Sequence, residues 1–211
     1  MAQQPMMCQK FSMPGLLFGF HKVYFDMQAS ASVTKWIQAA GVLLAHGRCR
    51  AMTRLKLLKL LYIAERTMIQ ERDHAFLLDR PVAMRHGPVL SGIYNLIKGE
   101  HTEHAAWADF FEADGDLVCL KSEPPRGSLS AYEIRLLQRI ADEYAQKDPW
   151  EVAQETHSFP EWRDNYPGNN SSATIPWEDI ARSLGKDDPE ALANEIVHER
   201  RLRHSLDEVN P

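Results

Sequence analysis

The stretch TRLKLLKLLYIAERTMIQER, residues 53–72, limits what this chain can fold into more than any other segment. On a helical wheel of about 100° per residue, Leu55, Leu57, Leu58, Leu60, Leu61, Tyr62, Ala64, Met68 and Ile69 fill an arc of roughly 200–220°. Lys56, Lys59, Arg66 and Gln70 gather in the narrow remaining sector, with only Ile63 among them. A surface helix needs about half that apolar width. The pattern therefore predicts a central helix covered on two or three sides, with one basic seam left open to water.

Glu65 interrupts this arrangement, because it falls in the middle of the apolar arc beside Leu58, Leu61 and Met68 by angle. Charged side chains are rarely fully buried, so the helix is expected to emerge from the core there and leave Glu65 solvated. The alternative is a buried carboxylate paired with a cation such as Arg85, since an unpaired buried charge is very costly.

A chain of 211 residues suits one domain with a proper core. Its net charge of −5 argues against a general nucleic-acid or anionic-membrane binder. Cys8, Cys49 and Cys119 are odd in number and far apart, with no CxxC. That is no disulfide framework and fits a reducing, cytoplasmic setting. No apolar run approaches the ~18 residues of a membrane helix.

Residues 1–27 lack periodicity and are expected to form a poorly ordered extension, with Met27 a possible true start. The apolar run 11–20 holds Pro14 and Gly15 and is preceded by a single lysine, which makes a poor signal peptide. A first helix is expected from Ser32 to Gly47, through Val33, Trp36, Ile37, Ala40, Leu43 and Leu44. Residues 81–85 look strand-like, and Pro88 is expected at the first position of a helix carrying Val89, Leu90, Ile93, Tyr94 and Ile97, with Gly99 closing it. Asp114 and Gly115 predict a tight hairpin between 107–113 and 116–121. Ser130 and Glu133 form a capping box, with Leu129 and Ile134 as its hydrophobic staple. Asp148 and Glu151 repeat the box for a short helix ending at His157. Residues 159–172 are expected to be irregular. Two helices follow, over 177–184 and 189–206, the last with a polar end that faces water or a partner.

Candidate chemistry is sparse. His101 and His104 have i,i+3 spacing but no third ligand at metal-site spacing, and histidines just past a helix end also suit its dipole. Asp114 and Asp116 lack the remaining ligands of a calcium loop. No GxSxG, P-loop or dinucleotide glycine fingerprint occurs. Cys119 is expected to fill core, and His86 has no evident catalytic partner. No cofactor and no metal is called for, and enzymatic activity finds little support. Three helices followed by a hairpin suggest a winged helix in outline, with Arg48, Arg50, Arg54, Lys56 and Lys59 concentrated around the central helix. That helix is too apolar to lie in a major groove, so DNA binding is the lesser alternative.

The run LKLLKLLYIA at residues 55–64 resembles the opening signature of the Panacea, or SocA-like antitoxin, domain. Gly87, Pro88 and Val89 followed by Tyr94 match a second family element. Trp150 and Glu151 through Thr156 and His157, then Pro160 and Trp162, resemble the family's C-terminal helix and Thr-His turn. The likeness spans about residues 33–162. Met84 and His86 depart from it, standing where members often carry aromatic residues.

The resemblance implies a small bacterial or phage-associated protein that neutralises a toxin encoded by an adjacent gene, by direct protein–protein binding and not by catalysis. The expected fold is an α-dominated α+β domain, compact and helical around the buried central helix, with a small antiparallel hairpin or sheet. The antitoxin domain is placed at 28–165, followed by a C-terminal helical extension at 166–211. Leu60, Tyr62, Gly87, Pro88, Val89 and Tyr94 are expected to be structural. Lys56, Lys59, Arg66, Arg85, His86, Trp162 and Arg163 are the expected partner contacts, and charge reversal at Lys56 and Lys59 is expected to weaken binding without unfolding the chain.

Overall fold

The structure, a computed structural model, describes residues 29–47 and 50–209. The N-terminal extension, Cys8, Arg48 and Cys49 lie outside the described residues. The chain folds as an α-dominated α+β protein with small antiparallel sheets, as its periodicity predicts.

The central helix is α2 (Arg54–Arg72). Thr53 caps it by accepting from the Lys56 N–H, and Asp73 ends it in the left-handed conformation at φ 52°. Around α2 lie α1 (Ala31–His46), α3 (Ser91–Lys98), α5 (Ala131–Glu143), α6 (Pro149–His157) and α8 (Trp177–Ser183). α1 begins one residue before the expected Ser32, because Ser30 is the cap. Both predicted capping boxes form, at Ser130 with Glu133 and at Asp148 with Glu151.

Two three-stranded sheets complete the fold. In one, β1 (Ala51–Thr53) pairs with β5 (Leu117–Leu120), which pairs with β4 (Phe111–Asp114) across the Asp114–Gly115 turn. The turn is where the sequence puts it, but Trp107 belongs to helix α4 (His104–Phe110) and not to a strand. In the other, β2 (Pro81–Met84) lies between β3 (Gly87–Leu90) and β6 (Ala173–Thr174).

This second sheet corrects the expectation for Pro88. Pro88 does not open a helix; it sits in β3 opposite Ala83, and α3 starts only at Ser91. Proline is tolerated there because β3 is an edge strand, where a missing N–H costs the sheet no bond. The irregular stretch also proves more ordered than expected, holding the short helix α7 (Pro160–Asn165), and strand β6 follows directly after it. The last helix, α9 (Pro189–Val209), packs with α8 on a second apolar cluster containing Ile69, Leu78, Ile175, Trp177 and Ile196.

Glu65 follows neither expected course. It is 2% exposed, so the helix does not emerge there, and its partner is not Arg85. Its carboxylate accepts the backbone N–H groups of Phe76, Leu77 and Leu78 at 2.9, 3.0 and 2.8 Å. The segment after α2 doubles back against the helix, and Leu78 takes φ 55° to do so. The three N–H groups have no ladder to join, and a carboxylate satisfies them in place of water. Lys35 and Glu133 form a second buried polar link, at 2.7 Å between α1 and α5.

Burial pushes the Glu65 carboxyl up to about 7, against the pull of the three N–H donors and Lys35. Between pH 4.5 and about 7 the folded group keeps a proton that the unfolded one has lost, so its contribution to stability falls as pH rises. Glu65→Ala should cost about 3–5 kcal/mol in urea denaturation, because it strands three buried donors. Glu65→Gln should remove the pH slope; the same slope in both proteins would place its origin elsewhere.

Candidate partner-binding site

The basic seam of α2 is not open to water. Lys59 is 1% exposed, and its Nζ donates to the Pro88 carbonyl at 2.8 Å. Lys56 is half-buried and donates to the Lys147 carbonyl at 2.8 Å, closing the turn between α5 and α6. Arg66 pairs with buried Glu161 at 2.8 Å and lies over the Phe159 ring at 4.3 Å. Glu161 also accepts from the Tyr62 hydroxyl at 3.2 Å and the Ser183 hydroxyl at 2.7 Å. The three cations of the seam are thus the seat for the chain's own α6, α7 and β3. A wheel drawn on one helix cannot show this, because lysine and arginine carry long apolar stems that pack once the charged end finds an acceptor.

Above Lys59 the backbone of Gly87 passes at φ +94°. A Cβ at Gly87 would stand 2.3 Å from Thr156 Oγ1, 3.1 Å from Lys59 Nζ and 3.3 Å from His157 Cδ2. Only glycine fits both the backbone angle and the space. Thr156 is fully buried and donates to the Ala153 carbonyl at 2.7 Å, so it cannot turn away cheaply. The His157 ring stacks on Trp162 at 4.2 Å, and Trp162 stacks in turn on Tyr166 at 5.2 Å. Trp162 Nε1 donates to the Met84 carbonyl at 2.9 Å, tying α7 to the hairpin base. Burial and the nearby Lys59 and His86 lower the His157 pKa, and its buried Nε2 has no hydrogen-bond partner among the described residues.

Residues far apart in sequence therefore converge: Lys59 and Tyr62 from α2, Gly87 and Pro88 from the hairpin, Thr156 and His157 from α6, and Trp162 from α7. Leu60 and Val89 are core residues beside them. Tyr94 lies apart on α3, half-buried with the Lys98 ammonium 5.6 Å from its ring centre. Trp162 is half-buried, and its core role corrects the reading of it as a free surface aromatic.

What the hairpin shows to solvent is its tip. Arg85 and His86 are exposed, and the His86 ring meets the Trp150 ring edge-on at 5.1 Å. Trp150, at the start of α6, is 56% exposed. Arg163 is exposed on α7. Sequence reading placed Trp150 only in the family motif and missed it as a surface residue; it lies off the Val152, Ala153 and Thr156 positions that α6 buries. Of the residues that suggested a basic DNA-binding strip, Arg50 pairs with Glu123 and Arg54 with Asp116, and Arg48 lies outside the described residues. His104 Nδ1 lies 2.8 Å from the Leu96 carbonyl near the end of α3, and His101 Nδ1 accepts from the Glu103 N–H at 3.2 Å.

Burial lowers the Lys59 pKa from 10.5 to about 7. Across that interval the unfolded lysine holds a proton that the folded one has lost, so folding stability rises with pH from about 7 toward 10.5. Lys59→Met should abolish this rise in pH-dependent urea melts; an unchanged rise would clear Lys59 of responsibility. Lys59→Glu should fail to fold, because it buries a carboxylate against the Pro88 carbonyl; a native-like circular dichroism spectrum would instead support the tolerance of charge reversal expected from the sequence. Gly87→Ala should lose more than about 1 kcal/mol through strain and overlap with Thr156.

The family model for the antitoxin SocA-like, Panacea domain matches residues 57–163. No curated protein and no solved structure matches the chain. The match opens within α2, closes just after Trp162 and encloses every residue that converges under Gly87. The chain belongs to the SocA-like antitoxin family and carries its Panacea domain.

Proposed function

We propose that this protein is the antitoxin of a bacterial or phage toxin–antitoxin pair and holds its cognate toxin inactive by direct binding. The toxin is the product of an adjacent gene, the complex forms in the cytoplasm, and the protein acts by occlusion without turning over a substrate. Residues 28–165 form the unit that makes the contact, and residues 166–211 are an extension that supports it.

The observation that carries this reading is the exposed Trp150 against His86, beside Arg85, above a framework that is fully fastened. Interface energy concentrates in a few aromatic and arginine anchors held on rigid supports. Trp150 and Arg85 supply both types, and Lys59, Gly87, Thr156 and Trp162 supply the rigidity. Arg163 extends the surface. Lys56, Lys59 and Arg66 are assigned to the framework and not to the contact. Promoter binding is the weaker reading, because Arg50 and Arg54 are already matched by acidic neighbours.

Inducing the neighbouring gene alone should arrest growth, and coexpression of this protein should restore it and yield a copurifying pair. Trp150→Ala combined with Arg85→Glu should weaken that pair at least ~30-fold while leaving the melting temperature unchanged. A harmless neighbour that does not copurify defeats the proposal, and full rescue by the folded double variant moves the interface elsewhere.

A further inference from the structure

A cleft of about 770 Å3 shares no residue with the hairpin-tip surface. It is bounded by the start of α1, the start of α3 and the C-terminal half of α9. The orientation of α9 over it is unusual. The stripe of α9 that faces the body begins as Leu192, Ile196 and Val197, which pack in or against the second apolar cluster. One turn further, the same i, i+3, i+4 stripe continues as Arg200, Arg201 and His204 where it borders the cleft. Leu202 and Leu206 meanwhile face solvent, 53% and 68% exposed. A helix resting on an apolar floor would be turned the other way.

Arg80 adds a third guanidinium, its Nε donating to the Ser91 hydroxyl at 3.2 Å. None of Arg80, Arg200 and Arg201 makes an ion pair among the described residues. The acidic residues of the cleft accept hydrogen bonds from other groups, although the Arg200 charge lies near enough to Asp79 to favour its ionised form. Asp79 accepts the N–H groups of Arg80 and Ile93, and Glu103 accepts the N–H and hydroxyl of Ser30. Asp207 accepts the Ala31 N–H at 2.7 Å and the Ser32 hydroxyl at 2.9 Å. At the N-terminus of α1 the Ala31 and Val33 N–H groups already have acceptors, so the attraction is assigned to the arginines.

We propose that this cleft binds a small phosphate-bearing anion, up to the size of a nucleotide, through Arg80, Arg200 and Arg201. Guanidinium forks match phosphate oxygens in bidentate geometry, and three arginines on one cleft, with Asp79 near Arg200 to offset them in part, suit a ligand with several negative charges. The volume lies in the range of sites for ligands of that size. Binding here is independent of the toxin contact.

Calorimetric titration of the full chain with inorganic tripolyphosphate, and separately with ATP, tests this. Both probes should bind saturably at or below about 1 mM, compete with one another, and weaken as salt rises. Arg200→Ala with Arg201→Ala, and Arg80→Ala alone, should each weaken tripolyphosphate binding, the pair by at least ~10-fold, with unchanged thermal melts. Absence of saturable binding overturns the proposal. So does undiminished binding by the folded double variant, or ATP binding that tripolyphosphate does not displace.

Discussion

A lysine amine donating to a carbonyl 29 positions along the chain holds this molecule's arrangement in place. Lys59 sits fully buried in the central helix, yet its side-chain nitrogen fixes the Pro88 carbonyl and so the β2–β3 hairpin. From that bond the other placements follow. The hairpin, once pinned, brings Gly87 over Thr156 and sets α6 against α2; Trp162 then finds the Met84 carbonyl and brings α7 with it. Glu65 does the equivalent at the other end of the helix, gathering three N–H groups of the returning chain. A helix surrounded on every side has no free backbone groups with which to address its neighbours, and its few polar side chains take over that task.

The sequence shows the fold class and most helices plainly, because those depend on local periodicity and capping. The Ser130 and Asp148 boxes are read directly from residue types at fixed spacing, and both form. What escapes local reading is any polar group whose partner is remote. Lys59 on a wheel is one more cation in a basic seam; its acceptor belongs to a strand that the same wheel cannot contain. Pro88 looks like a helix opener until Gly87 is known to take a positive φ with Thr156, far along the chain, filling the space a Cβ would need. Glu65 reads from the sequence as solvated or as the partner of a side-chain cation, whereas backbone N–H groups hold it. The family resemblance recovered part of this, since its separate motifs proved to be neighbours in space.

The candidate site divides along the same line. Lys56, Lys59, Arg66 and Trp162 attracted attention as charged or aromatic residues, and each is engaged with the chain's own atoms. Arg85, His86, Trp150 and Arg163 remain at the surface. An interior that fastens through glycine, threonine, histidine and lysine tolerates little change, while Arg85 and the His86 ring at the tip stand exposed beside Trp150. Such a division lets a surface be rewritten without disturbing its support.

The Asp207 carboxylate on the first turn of α1 joins positions 176 residues apart. During synthesis α1 leaves the ribosome well before α9, so this part of its cap arrives late. The central helix, the hairpin and α6 can assemble before that moment, since Glu65, Lys59 and Thr156 find all their partners earlier in the chain order. The arginine-lined cleft cannot, because one of its walls is α9 itself. On a nascent chain the hairpin surface therefore precedes the cleft, and a partner able to bind the former could engage a molecule still being made.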